Sequence, residues 1–110
     1  TWAHALTLAP YTPQALAAAQ QAGQPVAVHF HAEWCPTYKQ QEKALAQLKT
    51  EAGLDITVLV ADYDNVKDLR KAMKVRSQST LVVFRGSEER ARLGGDTAPD
   101  KIRTALKSAL

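Results

Sequence analysis

The sequence predicts an α/β domain, a mixed central β-sheet flanked by helices on both faces, and three observations predict it. Two strongly apolar, β-rich runs, "VAVHFHA" (26–32) and "DITVLVADYD" (55–64), have the length of buried strands, and a helix-patterned segment follows each. "TLVVFRGSEERARLGG" reads as two strands around a turn at Gly86–Ser87, and so as a hairpin. The resulting order, (β)αβαβαββα, puts parallel βαβ units first and an antiparallel hairpin after them. At 110 residues the chain is expected to form one domain over 1–110.

The elements follow in order. "TWAHALTL" is a short strand or an arm. In "YTPQALAAAQQAGQPV", Thr12 caps a helix, Pro13 suits its first turn and Gly23 ends it before Pro25. After the 26–32 strand, a helix runs from about Pro36 to Ala52, with Leu45 and Leu48 on its apolar stripe and Gly53 closing it. Asn65 is expected to cap the short helix "VKDLRKAMKV", with Val66, Leu69 and Met73 on one face. Thr97 and Pro99 open a last helix that turns Ile102, Leu106 and Leu110 inward.

Composition narrows the function classes. Hydrophobic residues make up 45% and charged residues 23% of the chain, the balance of a soluble globular protein. No run approaches the ~18–20 apolar residues of a membrane span, so no membrane insertion is expected. The net charge is +3, and the basic residues read as scattered among acidic ones, without the aromatic-rich basic stripe of a nucleic-acid binder. The opening "TWAHALTLAPYTP" lacks an initiator Met, which is consistent with an upstream segment having been removed or left out.

Chemistry concentrates in "HFHAEWCPTYKQQ", residues 29–41. Cys35 is the single cysteine, placed where a strand gives way to a helix. The helix dipole and unpaired backbone N–H groups there favour the thiolate and would lower the thiol pKa. Trp34 would shield one side of the sulfur and offer a flat contact surface. The alternative is an inert core cysteine. His29 and His31 alternate on a strand and so share a face. With Cys35 they make a trio that suits copper or zinc, although a fourth ligand is missing. "GGDT" lacks the spacing of a phosphate loop, Asp62 and Asp64 do not make a glycosidase pair without a cleft, and no Ser-His-Asp arrangement stands out.

"VAVHFHAEWCPTYKQQEKAL" resembles the active-site segment of the thioredoxin family, in which a strand runs into Trp-Cys-x-x-Cys at a helix start. "VADYDNVKDLRKAMKVRSQSTLVVFRGSEERARLGG" resembles that family's strand, short helix and terminal hairpin. The likeness covers roughly residues 11–110 and is nearest the bacterial periplasmic branch, whose members often carry Trp-Cys-Pro-Thr-Cys. It implies a thioredoxin fold, thiol–disulfide exchange with Cys35 as the attacking sulfur, no cofactor and a periplasmic location, with the cytoplasm as the alternative. It also implies a monomer. The partners would be disulfide-containing or dithiol proteins, or a membrane thiol reductase, and not nucleic acid.

Three positions depart from the family pattern. Tyr38 stands where the resolving cysteine would be, as a natural single-cysteine variant or as a replacement. Its phenol could donate toward the thiolate or merely pack over the helix start. Ser79 stands where the family has a cis-proline facing the active cysteine. The Gln78–Ser79 bond is therefore expected to be trans. Gln78 and Ser79, with Pro36 and Thr37, are expected to line the substrate groove. His29 stands where thioredoxins bury a proton-transferring aspartate, so it reads as a proton shuttle or as a satisfied core histidine. Two further function classes stay open at this point. One is a non-catalytic binding module with Trp34 and Tyr38 as its contact patch. The other is a metal or iron–sulfur carrier, for which loss of the proline loosens a barrier to metal.

Overall fold

Alternation along one central strand organises the molecule. In β2 (Pro25–His31), Val26, Val28 and Phe30 point to one face of the sheet and Ala27, His29 and His31 to the other. The computed structural model describes residues 6–32, 36–51, 53–76 and 79–110. Around β2 lie β1 (Thr7–Pro10), α1 (Pro13–Gln21), α2 (Pro36–Leu48), β3 (Thr57–Asp62), α3 (Lys67–Met73), β4 (Thr80–Arg85), β5 (Glu88–Gly94) and α4 (Pro99–Lys107). The strands form one sheet in the order β1-β3-β2-β4-β5. β3 pairs in parallel with β1 and β2, whereas β4 pairs antiparallel with β2 and β5. This is the mixed sheet that the sequence predicts.

Each face has its own core. Val26, Val28 and Phe30 pack with Leu16 of α1 and with the partly buried Leu69 and Met73 of α3. Opposite them, Ala27 packs with Ala44, Leu45 and Leu48 of α2 and with Ile102 and Leu106 of α4. Both sides of β2 are thereby removed from water, which explains its near-continuous apolar sequence.

Thr12 caps α1 as expected, its hydroxyl accepting from the Ala15 N–H at 3.0 Å, and Gly23 turns with a φ of +67°. Four boundary expectations are corrected. α2 stops at Leu48 rather than near Ala52, because the chain turns there to bring Leu54 into the core beside Leu48. Asn65 does not cap α3. Its side chain turns back to Asp62 Oδ2 at 2.6 Å and leaves Val66 as a cap without a side-chain bond. Ala98, not Thr97, precedes α4, although Pro99 does open it. Leu110 is 47% exposed, because the chain tightens to i→i+3 hydrogen bonds after α4 and turns Ala109 inward in its place.

Two backbone bonds tie the C-terminal end of β2 to its surroundings, and a third links the first of them to the end of β5. The Ser79 N–H donates to the Phe30 carbonyl at 3.1 Å, the Tyr63 N–H to the His31 carbonyl at 2.8 Å, and the Gly95 N–H to the Ser79 carbonyl at 3.2 Å. The loop before β4, the end of β3 and the end of β5 therefore converge on the strand end that precedes Cys35 in sequence.

Candidate functional site

On α2, Tyr38, Gln41, Leu45 and Leu48 are buried at helical spacing and face the sheet. The first two meet the histidine face of β2. His29 is 2% exposed and Gln41 1%, and His29 Nε2 lies 2.7 Å from Gln41 Oε1. Gln41 Nε2 in turn donates to the Asp96 carbonyl at 2.7 Å. That second bond fixes the amide orientation, because a carbonyl accepts and only the amide nitrogen can donate to it. Gln41 Oε1 must then be the atom facing His29, so His29 Nε2 carries a proton. In the neutral ring the lone pair is left on Nδ1. Burial drives the His29 pKa below its ordinary value and keeps the ring neutral; the Gln41 bond and the Glu42 charge pull the other way, and His31 adds to the lowering.

Tyr38 covers this chain of bonds. It is 6% exposed, its ring stacks on His31 at 4.3 Å between centroids, and it lies 5.1 Å from the His29 ring at a tilt of 31°. Ala32 and Tyr63 complete the apolar cluster around it. Its hydroxyl donates to Glu42 Oε2 at 3.0 Å. Tyr38 thus packs over the start of α2 against both histidine rings. The expectation that His29 and His31 share a face also holds, since both rings contact the same tyrosine.

Ser79, expected in the groove wall, is among the buried residues. It is 1% exposed, with a φ of +63°, and both its N–H and its carbonyl are engaged in the backbone bonds given above. A left-handed serine is strained by about 1–3 kcal/mol. The bonds to Phe30 and Gly95 over-determine it. Pro36 is exposed and Thr37 half-buried; a Cβ placed on Gly95 would lie 3.9 Å from Thr37 Cγ2, so the start of α2 adjoins the end of β5. Cys35, Trp34 and Gln78, and with Gln78 the Gln78–Ser79 bond, lie outside the described residues. Among the described residues, no three His, Cys, Asp or Glu side chains gather as a metal site.

A family model of thioredoxin matches residues 10–108. The chain belongs to the thioredoxin family. A thioredoxin of Mycobacterium tuberculosis is 32% identical over 71 residues, covering 64% of this chain and 61% of the relative. The chain thus aligns with less than two thirds of the length of that relative. The crystal structure of Trxlp from Edwardsiella tarda superposes with a TM-score of 0.84 at 33% identity, over 91% of this chain and 98% of that one. An N21Q mutant thioredoxin from Halobacterium salinarum shares the fold with a TM-score of 0.79 at 23% identity. Among the described residues, the five-stranded mixed sheet and four helices are those of the thioredoxin fold.

Against that family, sequence reasoning overlooked Gln41, Glu42 and the Asp96 carbonyl. The signal for Gln41 was present: it occupies the core-facing position of the stripe that continues through Leu45 and Leu48. A polar residue on a buried stripe needs a partner, and His29 was the nearest polar candidate on the facing strand.

Proposed function

We propose that this thioredoxin-family chain is a thiol–disulfide oxidoreductase that works with one thiol, Cys35, flanked by Trp34. The Cys35 thiolate attacks one sulfur of a partner's disulfide. A Cys35–partner disulfide forms, the old sulfur–sulfur bond breaks and the second partner sulfur leaves as thiolate. Tyr38 cannot supply the resolving thiol, so an external thiol such as glutathione attacks the mixed disulfide and releases Cys35. The two electrons delivered to the partner come from that thiol and its successor.

The observation that carries the reading is the buried His29–Gln41–Asp96 chain beneath the strand-to-helix junction. It leaves a neutral imidazole with its lone pair on Nδ1 where the resembled family keeps a proton-transferring carboxylate. In this reading Pro36 and Thr37 meet the partner, and Gln78 is proposed to join them. Partners are disulfide-bearing or dithiol proteins, with a membrane thiol reductase as electron source if the protein is periplasmic.

The test is insulin reduction with and without glutathione, alongside trapping of the mixed disulfide by mass spectrometry. Turnover that requires glutathione, and an adduct lost in Cys35→Ser, is the expected result. Rapid turnover without added thiol would refute the single-thiol mechanism. A thiol that alkylates no faster than free cysteine would favour a non-catalytic binding module instead.

A further inference from the structure

The basic residues that look scattered in the sequence are gathered by α3. A cavity of about 610 Å³ along this helix and the segment after it is lined by Lys67, Arg70, Lys71, Lys74 and Arg76, with Asp68 the one carboxylate. Five cations against one acid give a local excess of four, larger than the +3 of the entire chain. The remainder of the molecule is therefore slightly acidic.

Elsewhere several of the protein's arginines are paired with its own carboxylates: Arg90 with Glu88 at 2.8 Å, Arg92 with Glu89 at 2.9 Å and Arg103 with Glu51 at 2.8 Å. Among the described residues none of the five cavity cations has an ion-pair partner. Lys67, Lys71, Lys74 and Arg76 are exposed. Arg70 is held in place by its guanidinium, which lies 4.0 Å over the Tyr63 ring.

We infer that this face docks an acidic segment of the redox partner, one carrying several carboxylates beside its disulfide. The inference rests on the thiol-exchange reading above and adds the recognition surface to it. Arg76 lies three residues before Ser79, so the basic face runs into the loop tied to the end of β2. Two features favour an extended polyanionic peptide. The charges are spread over the whole of α3, about 10 Å of helix, instead of converging on one point. The cavity also reaches the helix C-terminus, where the backbone presents carbonyls and not the N–H groups that cradle a compact phosphate. Nucleic acid would use aromatic stacking platforms, and among the described residues no ring lines this cavity, while the neighbouring Tyr63 is covered by Arg70.

The test uses three synthetic peptides with one cysteine activated as a 2-pyridyl disulfide and flanked by four Glu, four Ser or four Lys. Pyridinethione release reports attack by Cys35. The Glu peptide should react at least about tenfold faster than the Ser peptide at low salt, with the advantage lost at high salt. Lys67→Glu/Lys71→Glu/Lys74→Glu should abolish the preference while leaving the Ser-peptide rate unchanged. Equal rates for the Glu and Ser peptides overturn the docking surface. No reaction with any peptide overturns the exchange reading instead. A binding arm on Cys35→Ser, by fluorescence anisotropy with a thiol-free Glu peptide, keeps the two apart. In that arm, tighter binding of a DNA oligonucleotide or of inorganic phosphate than of the Glu peptide would also overturn the inference.

Discussion

Replacing Gln41 with leucine keeps the volume of the side chain and removes both of its hydrogen bonds. The His29 Nε2–H is then a donor without a partner in a residue only 2% exposed. Leaving such a group unpaired costs about 1–3 kcal/mol. The Asp96 carbonyl loses its 2.7 Å donor too, but Asp96 is half-buried and water can reach it, so that loss adds at most about 1 kcal/mol. The added apolar surface of leucine offsets part of the total. A net destabilisation of about 1–3 kcal/mol is expected. In the double variant His29→Leu/Gln41→Leu both partners become apolar, no buried donor is stranded, and the cost should fall well short of the sum of the two single changes.

Urea denaturation of the four proteins gives this cycle directly, provided the m-values agree. Nitrogen-15 spectra of the His29 ring supply an independent readout. In the parent protein Nε2 should carry the proton. In Gln41→Leu the tautomer preference should relax, and the His29 pKa should drop further, because the hydrogen bond that raises it is gone. Additive energies together with an unchanged ring spectrum would refute the bonded chain from His29 to Asp96.

Three other outcomes are expected. Tyr38→Cys should restore a two-thiol site and give insulin reduction that no longer depends on glutathione; a variant still dependent on it would place residue 38 out of reach of Cys35. Because the folded-state pKa of His29 is lowered by burial, the unfolded chain binds more protons as pH falls below the free histidine value of about 6.5. The His29 contribution to stability is thus complete above that pH and is lost progressively toward the lowered value. In His29→Leu, denaturation midpoints should lose this part of their acid sensitivity. Ser79→Pro should destabilise the protein by at least about 1 kcal/mol, although proline is usual in the family, since proline cannot adopt a φ of +63° or donate to Phe30. A midpoint equal to or above the parent's would show that the loop accepts a proline without this cost.

The fold was legible because its signals are local and repeated. β2, β3 and β4 announce themselves as apolar runs, and Pro13, Pro36 and Pro99 each stand at a helix start. Boundaries that depend on long-range competition were not legible. Asn65 has the chemistry of a cap, but Asp62 draws its amide away. Leu110 has the right hydrophobicity and the wrong phase, because the helix tightens before it. At the site, the pairing of His29 and His31 on one face followed from strand alternation alone. The Gln41 bond did not, since it requires knowing that α2 crosses β2 at that height. Ser79 was placed by analogy with a groove residue, and its interior position follows from two backbone bonds that no sequence pattern encodes.

The three departures from the family pattern are physically connected through β2. Tyr38 lies against the imidazoles of His29 and His31, and Phe30, between those histidines but facing the opposite way, holds Ser79 by its carbonyl. A change at residue 38 therefore reaches His29 without touching it. Cysteine is much smaller than the buried tyrosine it would replace, so Tyr38→Cys opens space beside the imidazole and admits water to a ring that desolvation now keeps neutral. The His29 pKa should rise in that variant, back toward the ordinary histidine value, and the pH profile of any restored two-thiol activity should move with it. Filling the space again, by adding Ala32→Val or Ala32→Leu to Tyr38→Cys, should reverse the rise while keeping the second thiol. A His29 pKa in Tyr38→Cys that stays at the parent value would mean that burial by the sheet and Gln41 alone sets it, and that the tyrosine and the histidine are independent departures.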